Sequence, residues 1–274
     1  MCTIQGCGSQ EVLPPIIVPE TKRRDFVKGL TSLPIAAVLA DPVLTAAAAG
    51  RGEMKSIKGP DGTIANGYFV KPKTTKPATI ILIHEWWGLN DQIKAVANDL
   101  AEQGYLAYAI DLYGGKSTRK AEEASRLMDA VDPVKATAML ATAINHFHQF
   151  PHSNGKVGTI GWCFGGGWSL NASIAAPVDA TVIYYGNLNR SETDLAKLKG
   201  PVLGHFAEQD GWINPEMVAG FKARMAKANK ADSLQTFTYS ADHAFANPTS
   251  ARYDAKDAAL AWQRTLAFFK SNLA

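Results

Sequence analysis

Cys163 lies between Gly161 and Gly165, immediately after the apolar run 157–160. A Gly-x-Cys-x-Gly pattern between a predicted strand and a predicted helix is typical of the sharp turn that presents a catalytic nucleophile. The two glycines matter because residues two before and two after the nucleophile must be small for strand and helix to approach each other. The pattern predicts that Cys163 is a nucleophile. The alternative is a small buried hydrophobic residue beside a glycine-rich bend.

A cysteine nucleophile needs a base and a group that orients the base. Asp210 follows the apolar run 201–207, and His243 follows the run 234–239. Reactive groups gather at the carboxyl ends of the strands in a doubly wound sheet, so these two residues and Cys163 are expected to meet. The chain order of nucleophile, acid and base is that of α/β hydrolases. Taken singly, the aspartate and the histidine have capping or turn roles as alternatives.

The loop after the first buried run, 78–83, holds Glu85, Trp86 and Trp87. In α/β hydrolases this loop donates one backbone N–H to the oxyanion hole, and the residue after the nucleophile donates another. The N–H groups of Trp86 and Phe164 are therefore the candidates. Trp87 is expected to form a wall of the substrate pocket; the alternative is that both tryptophans belong to the core. Glu85 is unusual here, because a carboxylate near an oxyanion hole repels the intermediate unless it is protonated or turned away; the alternative is a surface glutamate.

Buried apolar runs alternate with helical patterns after residue 50, and the first of them follows a predicted hairpin over 54–70. This alternation predicts one α/β domain over residues 50–274, with a mostly parallel central sheet covered by helices on both faces. The predicted strands are 78–83, 105–110, 157–161, 180–185, 201–207 and 234–239, and the predicted helices are 91–103, 121–130, one from 133, one up to 175, 215–229 and 250–273.

The first 49 residues differ in composition from the rest of the chain. Paired arginines, Arg23 and Arg24, precede a weakly apolar, alanine-rich stretch that ends at Ala49. This pattern predicts a twin-arginine signal peptide over residues 1–49, cleaved near 47–49, and a periplasmic protein delivered by the export machinery. The stretch is too short and too weakly apolar to hold the mature protein in a membrane. The alternative is a disordered tail.

Composition narrows the function further. The formal net charge of +3 over 274 residues, without a basic run, does not favour nucleic acid as a partner. Cys2 and Cys7 lie in the predicted leader, so Cys163 would be the single thiol of the mature protein, and no internal disulfide could form. The remaining histidines lack the grouping that a metal site needs, and His205 in a strand is expected to be a core residue. Neither a metal nor another cofactor is expected.

The motifs around these residues resemble the dienelactone hydrolase family, which includes carboxymethylenebutenolidases, and the resemblance spans about residues 54–273. The resemblance implies an α/β-hydrolase fold, a Cys163-His243-Asp210 triad and no cofactor. It also implies that Glu85 contacts the thiol, and that Tyr113 and Asn247 belong to the substrate pocket. Its motifs are His84-Glu85-Trp86-Trp87-Gly88, Asp111-Leu112-Tyr113, the segment 153–158 that leads into Gly161-Trp162-Cys163-Phe164-Gly165-Gly166, Gln209-Asp210 and His243-Ala244-Phe245.

The chain departs from the family pattern at the substrate carboxylate. Where the family has an arginine four residues after the histidine, this chain has Asn247, and Arg119, Lys120 or Arg252 would have to substitute. The sequence therefore predicts hydrolysis of a small ester or lactone through a thioester acyl-enzyme. Two alternatives stay open at this point: a thiol redox or peroxide-reactive protein, and a binding protein without catalysis.

Overall fold

The computed structural model describes residues 42–274. Within that range eight strands form one sheet, and helices flank them. The strands are β1 Glu53–Lys58, β2 Ile64–Val70, β3 Thr79–Ile83, β4 Leu106–Ile110, β5 Val157–Trp162, β6 Ala180–Tyr184, β7 Val202–Ala207 and β8 Leu234–Tyr239. The helices are α1 Pro42–Ala48, α2 Asp91–Glu102, α3 Ala121–Asp129, α4 Pro133–His148, α5 Phe164–Ala175, α6 Glu192–Leu195, α7 Pro215–Lys227 and α8 Ala255–Leu273, with a 3-10 turn at Ala231–Ser233.

The strand order is β1-β2-β4-β3-β5-β6-β7-β8. The β1–β2 hairpin is antiparallel, and β2 pairs antiparallel with β4. All further pairings, from β4 to β8, are parallel. The predicted α/β class with a mostly parallel sheet is confirmed. Because β3 and β5 to β8 run the same way, their carboxyl ends meet at one edge of the sheet, which is where the predicted site residues follow.

Alternate residues of β3 show how helices cover both faces of the sheet. Ile80 and Leu82 pack in the same cluster as Leu100 of α2, whereas Ile81 and Ile83 pack with residues of α4. All five β3 residues are buried. A continuous apolar run is what a strand buried on both faces requires.

Side-chain caps fix where several helices begin. Asn90 accepts a hydrogen bond from the N–H of Ile93 at the start of α2, and Asp132 caps α4 just before Pro133. The predicted start of the last helix at residue 250 is wrong: α8 begins at Ala255, because Asp254 accepts a hydrogen bond from the Asp257 N–H.

Helix α1 packs against α2, and Ala47, Ala48 and Ala49 are buried there. The hydroxyl of Tyr68 in β2 donates a hydrogen bond to the Ala49 carbonyl over 2.6 Å. The expected cleavage positions thus lie in a packed segment. The rest of the predicted leader, residues 1–41, lies outside the described residues, so the signal peptide stays a prediction. No helix in the described range is both long and apolar enough to cross a bilayer.

Candidate active site

The turn between β5 and α5 has the backbone that the glycine pattern predicts. Cys163 is the N-cap residue of α5, with φ 53° and ψ −115°. Residues other than glycine rarely adopt this backbone conformation. A Cβ at Gly161 would collide with the backbone of Gly165, and a Cβ at Gly165 would collide with the Ile83 carbonyl. The two glycines therefore let strand and helix touch, and the cysteine is left at the tip of the turn.

Asp210 and His243 form a buried pair at the carboxyl ends of β7 and β8. His243 Nδ1 lies 2.7 Å from Asp210 Oδ2, and both side chains are almost fully buried. The other carboxylate oxygen of Asp210 accepts hydrogen bonds from the N–H groups of Trp212 and Ile213, at 2.8 and 2.9 Å. The carboxylate is thus held in place by the backbone and in turn orients the imidazole ring.

A pocket opens at this edge of the sheet and encloses about 270 Å³, including its open mouth. Cys163 and His243 both line it. The nine lining residues are Glu85, Trp86, Trp87, Cys163, His243, Ala244, Asn247, Thr249 and Ser250.

The carboxylate of Glu85 is turned toward two neutral donors. Asn247 Nδ2 donates to Glu85 Oε2 over 2.6 Å, and the Tyr185 hydroxyl lies 3.4 Å from Oε1. Burial, followed by the nearby charges of Glu85 and Cys163, raises the pKa of Tyr185 well above its usual value, so this hydroxyl keeps its proton. Asn247, which the sequence predicted as a pocket residue, therefore lines the pocket and fixes the position of the Glu85 carboxylate by a hydrogen bond.

Tyr185 is the residue of this site that sequence reasoning missed. It was expected as the last residue of a strand, but β6 ends at Tyr184 and Tyr185 has φ 35°. Its ring packs edge-on against the His243 ring, with centroids 5.1 Å apart. The available signal was its position directly after a buried parallel strand, the same position that singled out the aspartate and the histidine.

The expected aromatic residues divide between the wall of the pocket and its support. Trp86 and Trp87 both line the pocket, with ring centroids 4.8 Å apart. Phe164 is the first residue of α5, where backbone N–H groups have no partner within the helix. Tyr113 is not among the lining residues of the described chain; it packs against His84 and Phe164, with centroids 4.6 and 5.6 Å away.

His84 sits behind the Glu85 loop as a structural residue. Its Nδ1 donates to the Glu85 carbonyl over 2.6 Å, and its Nε2 accepts from the Leu112 N–H over 3.2 Å. Burial lowers its pKa to about 4, against the raising effects of the Glu85 carbonyl and Asp111. A neutral imidazole therefore ties the loop after β3 to the loop after β4.

Backbone strain is concentrated at this site. Five residues other than glycine have positive φ in the described part of the chain, and Cys163, Tyr185 and Ala244 are three of them. Cys163 and Ala244 line the pocket, and Tyr185 contacts two groups that line it. Strained backbone persists where the surrounding packing enforces it, and it is common at active sites.

The fold and the strained turn define the chain as an α/β hydrolase. The family model of the dienelactone hydrolase family matches residues 65–273, and the chain belongs to that family. The match confirms the resemblance seen in the sequence. It also confirms the predicted class of enzyme, a hydrolase that acts on esters or lactones.

Individual relatives agree over most of their length. The chain is 31% identical to a carboxymethylenebutenolidase of Pseudomonas putida over 228 residues, which cover 78% of this chain and 94% of the relative. It is also 31% identical to Protein usf of Aquifex pyrophilus, with 78% and 96% covered. A dienelactone hydrolase-like promiscuous phosphotriesterase from metagenomic libraries shares the fold with a TM-score of 0.72, at 24% identity, covering 82% of this chain and 100% of that one.

Proposed function

We propose that this chain hydrolyses small carboxylic esters or lactones through a thioester formed on Cys163, with His243 as the base and Asp210 as the residue that orients it. The observation that carries the proposal is the arrangement of the pocket: a cysteine at the tip of a strained strand-to-helix turn shares the pocket with a histidine, and that histidine lies 2.7 Å from a buried aspartate. A base oriented in this way activates a thiol and later protonates the leaving group.

In the first half-reaction, His243 Nε2, the ring nitrogen not bonded to Asp210, takes the proton of the Cys163 thiol. The sulfur attacks the ester carbon, and the N–H groups of Phe164 and Trp86 stabilise the oxyanion. The C–O bond to the leaving group then breaks, and the imidazolium returns the proton to that oxygen. In the second half-reaction a water molecule, deprotonated by His243, attacks the thioester and releases the acid and the free thiol.

Glu85 belongs to the same proposal. Its carboxylate lines the pocket together with Cys163, and in the proposal it contacts the thiol of the resting enzyme before His243 takes the proton. The bonds to Asn247 and Tyr185 support this role, because they direct the carboxylate and keep it from swinging toward the oxyanion. Trp87 supplies a flat apolar wall for the substrate, and no cofactor takes part in the proposed steps.

The test is stopped-flow hydrolysis of 4-nitrophenyl acetate. We expect a burst of 4-nitrophenolate equal to the enzyme concentration, followed by slower turnover. Cys163→Ala should lose both phases, and Cys163→Ser serves as the matched variant, in which a hydroxyl replaces the thiol. Turnover unchanged in Cys163→Ala would refute the proposal. Oxidation of the thiol by peroxide in a protein without any ester turnover would instead favour the thiol redox alternative.

We also propose that the protein is exported to the periplasm by a twin-arginine signal. The support is the paired arginines followed by a weakly apolar, alanine-rich stretch. Intact-mass measurement of the periplasmic fraction tests this proposal. We expect a protein that has lost the signal; a protein recovered there with Met1 or Cys2 in place would contradict cleavage.

A further inference from the structure

Two donors hold the backbone carbonyl of Glu85. His84 Nδ1 donates to this oxygen over 2.6 Å, and the Gly88 N–H donates to it over 3.1 Å. The carbonyl and the N–H of one trans peptide unit point in opposite directions. The N–H of the unit that begins at the Glu85 carbonyl belongs to Trp86. Fixing the carbonyl therefore also fixes the direction of the Trp86 N–H, which faces away from the His84 ring.

The Trp86 N–H is available to a ligand. Within residues 42–274 it donates to no acceptor, although Trp86 lines the pocket and is 1% exposed. Backbone N–H groups that are buried in this way are almost always paired. An N–H that has no acceptor within the described chain and belongs to a residue of the pocket wall is what an oxyanion hole requires.

The second nitrogen of His84 fixes the orientation of its ring. Nε2 accepts from the Leu112 N–H over 3.2 Å, so a turned ring would place a donor against a donor. Leu112 lies in the loop after β4, and this loop is folded around Asp111, whose carboxylate accepts from the Tyr113 N–H over 3.0 Å. The ring is thus held from the side of β4 and holds the Glu85 carbonyl on its other side.

His84 also contacts the start of α5, where the second proposed oxyanion donor lies. Its ring stacks on the Phe164 ring, with centroids 5.8 Å apart and planes 20° apart. Its backbone carbonyl lies so close to α5 that a Cβ at Gly165 would come within 2.5 Å of the oxygen. One residue therefore touches both the peptide that carries the Trp86 N–H and the residue that carries the other N–H.

We propose that His84 is the positioning residue of the oxyanion hole, and that its hydrogen bond to the Glu85 carbonyl directs the Trp86 N–H toward the oxyanion. The inference rests on the proposed function, because the oxyanion forms in that reaction. His84 is 0% exposed and is not one of the nine lining residues, so it acts through the peptide and not on the substrate.

Three variants separate the hydrogen bond from the packing of the ring. His84→Asn keeps a donor, because the Nδ2 of asparagine takes the position of the histidine Nδ1. His84→Gln loses that donor but keeps an acceptor for the Leu112 N–H at the position of Nε2. His84→Phe keeps only a flat ring against its neighbours.

The experiment measures the rate constant for acylation of Cys163 by 4-nitrophenyl acetate in the stopped-flow burst. We expect it to fall about 10- to 100-fold in His84→Gln and His84→Phe, because a proposed oxyanion donor loses its direction, and only a few-fold in His84→Asn. Faster acylation in His84→Phe than in His84→Asn would overturn the proposal, since the ring would then act by packing alone.

Alkylation of Cys163 by iodoacetamide is the control, because attack of the thiolate on a saturated carbon forms no oxyanion. The alkylation rate should stay within a few-fold of that of the unchanged protein in all three variants, with urea unfolding to verify the fold. An alkylation rate that falls as far as the acylation rate would overturn the proposal, because the thiol and not the oxyanion hole would have changed.

A measurement on the unchanged protein needs no variant. The nitrogen-15 NMR shifts of His84 at pH 7.5 should show a proton on Nδ1 and none on Nε2. The opposite tautomer would overturn the proposal, because the ring would then offer no donor to the Glu85 carbonyl.

The two proposals fail in different ways. If Cys163→Ala hydrolyses 4-nitrophenyl acetate as fast as the unchanged protein, the proposed function is wrong, and there is no oxyanion for His84 to serve. If Cys163 is acylated at the unchanged rate in all three His84 variants, the proposed function stands and only the positioning role is wrong.

Discussion

His243 and His205 are both almost completely buried, yet their surroundings differ in the one respect that matters for catalysis. His243 lies at the carboxyl edge of the sheet, bonded to the Asp210 carboxylate, and opens onto the pocket. His205 lies within β7 and has two hydroxyl partners, Tyr239 at 2.8 Å from Nδ1 and Thr265 at 3.0 Å from Nε2.

The environment of His205 keeps it neutral. Burial lowers its pKa to about 3, and the charge of Arg264 adds to this effect. Arg264 also donates to the Tyr239 hydroxyl over 3.1 Å, so the hydroxyl proton is available to His205 Nδ1. Both ring nitrogens are thereby satisfied in one tautomer. His205, which is buried without a carboxylate partner among its hydrogen bonds, is therefore a structural residue. His243 is a candidate base because it is bonded to a buried carboxylate and opens onto the pocket.

The largest expected effect separates the two histidines by activity. His243→Asn should lower kcat/KM for 4-nitrophenyl acetate about 10³- to 10⁴-fold, because the base is lost. His205→Gln should keep kcat/KM within a few-fold, since the pocket is untouched. Steady-state assays of both variants, with circular dichroism to verify folding, check the pair. Comparable losses of kcat/KM in the two variants would contradict the assignment of His243 as the base and of His205 as a structural residue.

The second prediction concerns the carboxylate that distinguishes the site. Asp210→Asn retains an oxygen for the Trp212 and Ile213 N–H groups but presents an amide to His243 Nδ1. The imidazole is then held in the wrong tautomer, and kcat should fall about 10²- to 10⁴-fold with KM little changed. Steady-state kinetics with urea unfolding separates this loss from a structural one. A variant of nearly full activity would show that Asp210 is only a turn residue.

The third prediction is a pH dependence of stability that belongs to His205. The unfolded residue takes up a proton below about pH 6.5, whereas the native one stays neutral to about pH 3. The stability it contributes is therefore present above pH 6.5 and is lost as pH falls from 6.5 toward 3. His205→Gln should be less stable at pH 7.5, and the gap to the unchanged protein should narrow by about 3 kcal/mol at pH 4.5.

Urea unfolding of both proteins at pH 7.5, 5.5 and 4.5 measures that gap. His84 contributes in the same direction in both proteins, since its pKa is lowered to about 4, so it cancels in the difference. A gap that stays constant with pH would mean that the pKa of His205 is the same in the native and the unfolded protein.

The smallest expected effect concerns α1, which packs on α2 and has no residue among those that line the pocket. A chain that begins at Gly50 loses the buried methyl groups of Ala47, Ala48 and Ala49, which a chain that begins at Pro42 keeps. We expect a loss of about 2 kcal/mol in the free energy of unfolding, at roughly 0.8 kcal/mol per buried carbon, with kcat/KM unchanged. Equal stability of the two chains would show that the packing of α1 contributes nothing.

The sequence predicted the sheet and the positions of Cys163, Asp210 and His243 because buried parallel strands and glycine-flanked turns leave local patterns. It did not predict the environment of Glu85. The bond from Asn247 to Glu85 joins residues 162 positions apart and depends on the conformation of the loop after β8. Helix α1 was missed because its alanine-rich composition matches both a leader and a short packed helix.

The most direct measurement of the central claim is the mass of the enzyme quenched in acid during hydrolysis of 4-nitrophenyl acetate. We expect the peptide that contains Cys163 to carry one acetyl group, removable by hydroxylamine as a thioester, and to accumulate in proportion to the burst. An unmodified Cys163 peptide during active turnover, or an acetyl group on another residue, would contradict covalent catalysis at the strained turn.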